Sequence, residues 1–486
     1  PLRAEAGMLF NSLEFAVFFP AVCAIYFALP HARRTSFLLL ASAVFYMAFV
    51  PAYILVLGAT IGVDFAAARK IETARGRSRT AWFAGSIVAT CLILFAFKYY
   101  AFFTSTFVGL AELAGWRPSP PTLDLILPVG LSFHTFQSLS YVIEVHRGRQ
   151  RAEQDWRIFA TYVLFFPQLV AGPIERPQNL LAQFRARHEF DPALLTSGLK
   201  RMAWGFFKKL VIADRLALHV NDAYGDPAAH SGPQLAVATV AFAYQIYCDF
   251  SGYSDIAVGA ARVLGFRLME NFDAPYSASS TGEFWRRWHI SLSSWFRDYV
   301  YVPLGGGRAG SWRRTRNLLL TFALSGLWHG AAWNFVVWGL LNGAYVAAGH
   351  ASRDGRDRLW ARAGLGEQDF TRKTVGWCTT FLLICLSWVF FRATSVTEAL
   401  VILSRLATGW SELQLTTESC GPRQMAFGAL AVLLLESAQR LHRHRPIGTL
   451  LAGMPLLPRW GAYAGLLIFL ALAGVHGGSR FIYFQF

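Results

Sequence analysis

Charge is what this sequence has least of. Asp, Glu, Lys and Arg make up only 15% of its 486 residues, against about 25% in an ordinary soluble domain. That shortage excludes a water-surrounded globule with a fully solvated surface. Acidic residues are scarcer than basic ones, 29 against 45, which leaves a formal net charge of +16. Cysteine is rare as well. The six residues Cys23, Cys91, Cys248, Cys378, Cys385 and Cys420 form no close pair with metal-ligand spacing, which excludes a zinc-finger or disulfide framework. Five of them lie in apolar runs and are expected to be buried small residues. No His or carboxylate stands three or four residues from the most apolar histidine, His329, so no metal site is expected there. A Gly-x-Ser-x-Gly elbow is absent, so a hydrolase of that kind is not encoded here. There is no 20–50-residue repeat and no low-complexity tract. The basic residues sit in short loops rather than in an aromatic-interleaved soluble module, so no nucleic-acid partner is expected.

What the sequence has in abundance is apolar run. Hydrophobic residues make up 54% of the chain, gathered into stretches at 8–29, 36–50, 52–68, 81–109, 123–145, 156–172, 195–218, 234–264, 316–348, 375–392, 396–408, 423–438 and 460–476. Many are long enough to cross about 30 Å of hydrocarbon at 1.5 Å per residue. The fold expected is all-α: a polytopic integral membrane protein in a lipid bilayer, with about 11 transmembrane helices plus re-entrant or interfacial ones. Residues 1–7 read as an N-terminal extension, and 8–486 as a single membrane domain with a motif-rich core at 123–345. The first run, from Met8, has almost no basic flank and no clear cleavage site, so it reads as a span and not as a signal peptide. Arg33 and Arg34, the 69–79 loop and the 147–157 loop carry basic charge, while the loops between them carry little. By the positive-inside rule these basic loops are cytoplasmic.

Polar residues inside the runs need a reason. A charge at mid-bilayer costs roughly 2.5–3.5 kcal/mol on insertion scales, so such residues face protein or a wet path. The candidates are His134 and Gln137, then Gln245, Asp249 and Asp255, then His289, and finally His329 and Asn334. Six residues separate the two aspartates, about 600° of helix, so their carboxylates should point apart and serve different partners. Gly252 between them can break the helix or admit a second one. The stretch from 283 to 316 is aromatic and basic and is expected to lie at the interface. Gly326 and Gly330 flank His329 and leave room for a backbone or a ligand. A neutral imidazole there can be a satisfied core residue, a proton relay or a catalytic base.

The strings "LPVGLSFHTFQSLSYVIEVHRG", "LFFPQLVAGPIERPQNLLAQF", "CDFSGYSDIAVGAARVLGF", "NFDAPYSASSTGEFWRRWHISLSSWFRDYVYVPLGG" and "LSGLWHGAAWNFVVWGLLNG", with "MLFNSLEFAVFF" at the start, resemble the membrane-bound O-acyltransferase (MBOAT) family in its bacterial alginate O-acetyltransferase-like branch. The match covers most of 8–345; beyond 350 it is limited to hydropathy and "SWVFFRA". The resemblance implies a helical body with a thin centre and a tunnel. It implies His329 as the catalytic histidine and His289 as the second polar position. Trp328 and Trp333 would shape the acyl slot, and Asn334 would orient a ring or hold the carbonyl oxygen. Arg286 and Arg287 would meet donor phosphates. Asp249, Asp255, His134 and Gln137 would line the path. Acetyl-CoA would be a donor substrate, with no tightly bound cofactor. The acceptor would be an extracytoplasmic, alginate-like exopolysaccharide, reached through a periplasmic SGNH-hydrolase-like acetyltransferase partner from a bacterial inner membrane. A carrier-protein thioester donor, as in D-alanylation, and a proton-coupled transporter are the alternatives.

Overall fold

The computed structural model describes residues 8–123, 125–169, 172–308, 310–411, 413–444, 453–475 and 481–482; the N-terminal extension at 1–7 lies outside them. The described residues are mostly helical, and no strand occurs among them beyond one bridge between Thr417 and Cys420. Helix starts follow local chemistry. Ser12 Oγ accepts from the Phe15 N–H, Asp155 caps Trp156–Leu164, and Asp369 caps Phe370–Arg392. Ser280 accepts from the Glu283 N–H while Glu283 reaches back to the Ser279 N–H. Such caps satisfy the N–H groups that a first helical turn leaves over.

Among the described residues, three helices are long and apolar enough to cross a membrane: Gly76–Leu113, Phe370–Arg392 and Leu456–Ala473. They leave large leucines such as Leu113, Leu457 and Leu472 exposed, as helices that face lipid do. This corrects the expectation for cysteine. Cys91 and Cys378, in two of these helices, are exposed; Cys248, Cys385 and Cys420 are buried, and all six are free thiols.

The chain divides into two compact units, residues 1–202 with 256–270, and residues 203–255 with 271–486. The helices Pro192–Phe206 and Gly232–Val263 contribute residues to both. In the first unit, Tyr53–Thr73, Gly76–Leu94 and Leu131–His146 pack together around Asp64. Its buried carboxylate takes hydroxyl hydrogen bonds from Ser86 and Thr90 on one neighbour and Ser138 on the other. Four polar groups that lipid would penalise thereby satisfy one another.

In the second unit the apolar run 316–348 is not one span. It is a hairpin of Ser311–His329 and Trp333–Ala351. The two helices approach as closely as backbone allows: a Cβ on Gly326 would stand 2.1 Å from the Phe335 carbonyl oxygen, and one on Gly339 2.2 Å from that of Phe322. The room left by these glycines is filled by the partner helix. His329 is the last residue of the first helix, at the hairpin's turn, rather than midway along a span.

Candidate active site

Two histidines are buried in the second unit, His289 at 1% and His329 at 5% exposure. The aromatic, basic stretch around His289 folds into two short helices, Thr281–Arg287 and Ile290–Phe296. His289 lies at their junction with a left-handed backbone, φ 43°, a conformation a side-chain-bearing residue adopts only where its surroundings enforce it. The enforcing residue is Asn271. Its carbonyl accepts the Ile290 N–H at 2.9 Å. Its side-chain Oδ1 receives the Ser291 N–H and hydroxyl at 3.2 and 2.9 Å and His289 Nδ1 at 3.1 Å. An amide oxygen only accepts, so Nδ1 carries the proton and the lone pair resides on Nε2.

Aromatic rings surround both imidazoles. Phe250 stands edge-on to His289 at 4.5 Å between centroids. Trp338, Phe391 and Trp328 stand edge-on to His329 at 5.0, 5.3 and 4.8 Å. Trp328 also faces His289, at 6.3 Å, so one indole is shared between the two histidines. Behind Trp338 lies Trp388, stacked at 5.8 Å. This wall keeps water from the rings and favours the neutral imidazole that general-base or nucleophilic chemistry requires.

The profile of the membrane-bound O-acyltransferase family matches residues 157–391. The chain is 37% identical over 399 residues to the "Probable alginate O-acetylase AlgI" of Azotobacter vinelandii, covering 81% of this chain and 76% of that protein. The chain belongs to the membrane-bound O-acyltransferase family. It is therefore an acyl-transferring enzyme. A peptidoglycan O-acetyltransferase of Helicobacter pylori is 33% identical over 82% of the chain and 79% of its own length. A teichoic acid D-alanyltransferase of Bacillus subtilis is 29% identical over 53% of the chain and 65% of its own length.

Both histidines of this acyltransferase fall inside the matched region, and the structure sorts the other residues marked by sequence. Trp328 is at the site. Trp333 is 55% exposed, and the rings packed on His329 include Trp338 and Phe391, which the sequence reading passed over. Asn334 is buried, and its Nδ2 donates to the Phe390 and Ala393 carbonyls at 3.2 and 2.7 Å. It ties the hairpin's second helix to the segment that carries Phe391. Arg287 is paired with Glu283 at 2.8 Å and with Asp273 at 3.5 Å, whereas Arg286 has no carboxylate partner among the described residues.

Asp249 and Asp255 serve different partners, as their spacing requires. Lys209 lies 2.8 Å from Asp249 and 2.8 Å from Asp214, and the Ile482 N–H donates to Asp249 at 2.8 Å. Lys208 pairs with Asp255 and donates to Ser251 at 3.2 Å. Gly232–Val263 runs unbroken through Gly252. A Cβ at Gly252 would meet the Gly205 carbonyl at 2.8 Å, so this glycine admits a neighbouring helix. The lysines sit on a π-helical turn, Phe207–Ala213; nothing in the sequence pattern marked them.

His134 and Gln137 belong to the first unit. Both line a small recess with Gln168, Leu169 and Ile174. Gln137 Nε2 donates to the Tyr162 carbonyl, and among the described residues neither ring nitrogen of His134 has a hydrogen-bond partner.

Proposed function

We propose that this chain moves an acetyl group from a cytoplasmic thioester, acetyl-CoA, toward a hydroxyl of an extracytoplasmic polysaccharide. Two things support the reading: the names of the relatives, alginate O-acetylase and peptidoglycan O-acetyltransferase, and a buried histidine at a hairpin turn, walled by indoles and joined to a second histidine through Trp328. That pairing of imidazoles is the observation that carries it.

His329 takes the proton of the acceptor hydroxyl as its oxygen attacks the thioester carbonyl. The C–O bond forms and the C–S bond breaks. The imidazolium then returns its proton to the departing thiolate, leaving ester and free thiol. His289, with Nε2 as its basic nitrogen, positions the donor or shares the proton. Trp328 holds the two rings apart and bounds the acyl slot.

In this reading the protein is a multi-pass enzyme of about eleven spans in a bacterial inner membrane, with a tunnel between faces. A periplasmic SGNH-hydrolase-like partner completes transfer to the alginate-like polymer. The D-alanyltransferase relative favours one second reading, in which the thioester is borne by a carrier protein. The test is His329→Ala in membranes supplied with radiolabelled acetyl-CoA. Loss of polymer acetylation at unchanged protein level is expected; full acetylation refutes the role of His329. Label accepted only from an acyl carrier protein would establish the second reading.

A further inference from the structure

The hairpin of Ser311–His329 and Trp333–Ala351 has a fixed register: Gly326 lies against Gly339, and Phe322 against Gly343. Continued toward the open end, the same antiparallel register brings Arg314 level with His350 and Ala351. At that end guanidinium groups gather from three elements. Arg314 is in the first turn of the hairpin's first helix. Arg356, from Arg353–Arg362, folds back over the end of the second. Its Nη2 donates to the Gly349 carbonyl at 3.0 Å and its Nη1 to Ser352 Oγ at 2.7 Å. Arg286 comes from Thr281–Arg287. The start of that helix abuts the same place, with Thr281 Oγ1 3.8 Å from a Cβ position on Gly349. Arg286 Nη1 turns back along its helix, 3.9 Å from the Cβ position of Gly282.

The neighbouring acids are engaged elsewhere: Glu283 by Arg287, and Asp357 by Arg353 and Arg372. Among the described residues none of Arg286, Arg314 and Arg356 is paired with a carboxylate, and Arg314 Nε is buried without a hydrogen-bond partner. Three uncompensated cations at one helix end repel one another. A compact polyanion reverses the sign of that interaction, and guanidinium forks match phosphate oxygens in pairs. An extended acidic protein face would need the charges spread along a surface; here they converge on the end of one hairpin. The spacing to the chemistry also fits. From Arg314 to His329 is fifteen residues of one helix, about 23 Å at 1.5 Å per residue, a span for the extended arm of a donor whose phosphates are held at one end and whose thioester is used at the other.

We propose that Arg286, Arg314 and Arg356, beside His350, dock the phosphates of a nucleotide thioester that carries several phosphate groups. The proposal rests on the thioester-donor reading above and names the residues that select the donor.

The test is equilibrium binding with the full chain in detergent, using coenzyme A and phosphate-free pantetheine as probes. Each of Arg286→Gln, Arg314→Gln and Arg356→Gln should raise Kd for coenzyme A at least about ten-fold, the scale of one lost charge-assisted contact, and leave pantetheine binding unchanged. Wild-type affinity for coenzyme A should fall with added salt. If a Gln variant does not fold, the Lys variant is read instead; it keeps charge but loses the fork, and should raise Kd by a smaller factor. Unchanged Kd in the variants, an equal loss for both probes, or no coenzyme A binding by the wild type overturns the proposal. A lipid-headgroup site would instead show variants that lose co-purified phosphatidylglycerol and keep their coenzyme A affinity, which also overturns it. Acyl transfer is not read in this assay, so failure of the His329 role shows itself separately.

Discussion

The Asn271 Oδ1 atom lies 3.1 Å from Nδ1 of His289 while also receiving the backbone and hydroxyl of Ser291. One amide oxygen thereby sets the tautomer of the imidazole and holds its left-handed backbone. Asn271→Ala removes that acceptor. The expected result is a fall in kcat of up to about ten-fold, the size of one neutral hydrogen bond, with KM for the acyl donor little changed. Asn271→Asp keeps the acceptor and should recover much of the rate. Steady-state kinetics on the two variants decides it; an equal loss in both would show that the oxygen's role is not to orient His289.

His329→Ala and His329→Gln should each lower acyl transfer by about 10²–10⁴-fold, the usual contribution of a positioned base. The ring is walled by Trp338 and Phe391, so the Gln variant should keep the packing better. Equal protein levels and melting temperatures for Gln and wild type, with activity lost, would separate chemistry from folding.

Lys209 holds two buried carboxylates at once. Lys209→Met leaves Asp214 and Asp249 facing each other without a cation. Breaking a buried pair from one side costs about 3–5 kcal/mol, so this variant should lose most of its folded yield in detergent. The triple change Lys209→Met, Asp214→Asn, Asp249→Asn should recover part of it. A thermal-shift series measures both, and an unaffected single variant would sink the reading.

Gly339→Ala would put a methyl group 2.2 Å from the Phe322 carbonyl oxygen, a backbone atom that cannot swing away. The hairpin must part, at a cost of about 1–3 kcal/mol. Melting temperature and activity should fall together, because the His329 ring rests on Trp338, one residue before this glycine. Gly355→Ala, where a Cβ meets nothing within 4 Å, is the control and should behave as wild type.

His329 was legible in the sequence because an imidazole among leucines and tryptophans is improbable without a task, and because the strings around it have a family likeness. The divergence of Asp249 and Asp255 was legible from helix periodicity alone. The ring partners of His329 were not. Trp338 and Phe391 lie nine and sixty-two residues further along the chain, and only the hairpin register and the packing of Phe370–Arg392 bring them in. Lys208 and Lys209 escaped for a similar reason: a π-helical turn sends adjacent side chains to different carboxylates, and apolar patterning gives no hint of it. The run 316–348 looks continuous in sequence because hydropathy does not register the three residues of turn at 330–332. Arg287 and Arg286 look alike in sequence, and only the position of Glu283 and Asp273 tells them apart.

Asp64 carries a lesson about how the protein is made. Ser138, which completes the ring of hydroxyls around it, is synthesised 74 residues later. When Tyr53–Thr73 leaves the ribosome its carboxylate therefore has no finished set of partners. In the multi-pass reading proposed above, that segment alone would enter lipid at a cost of roughly 2.5–3.5 kcal/mol, which the arrival of Leu131–His146 removes. Membrane entry of this region is therefore expected to be a joint event of three segments, and nascent chains cut short of Ser138 should remain extractable where longer ones do not.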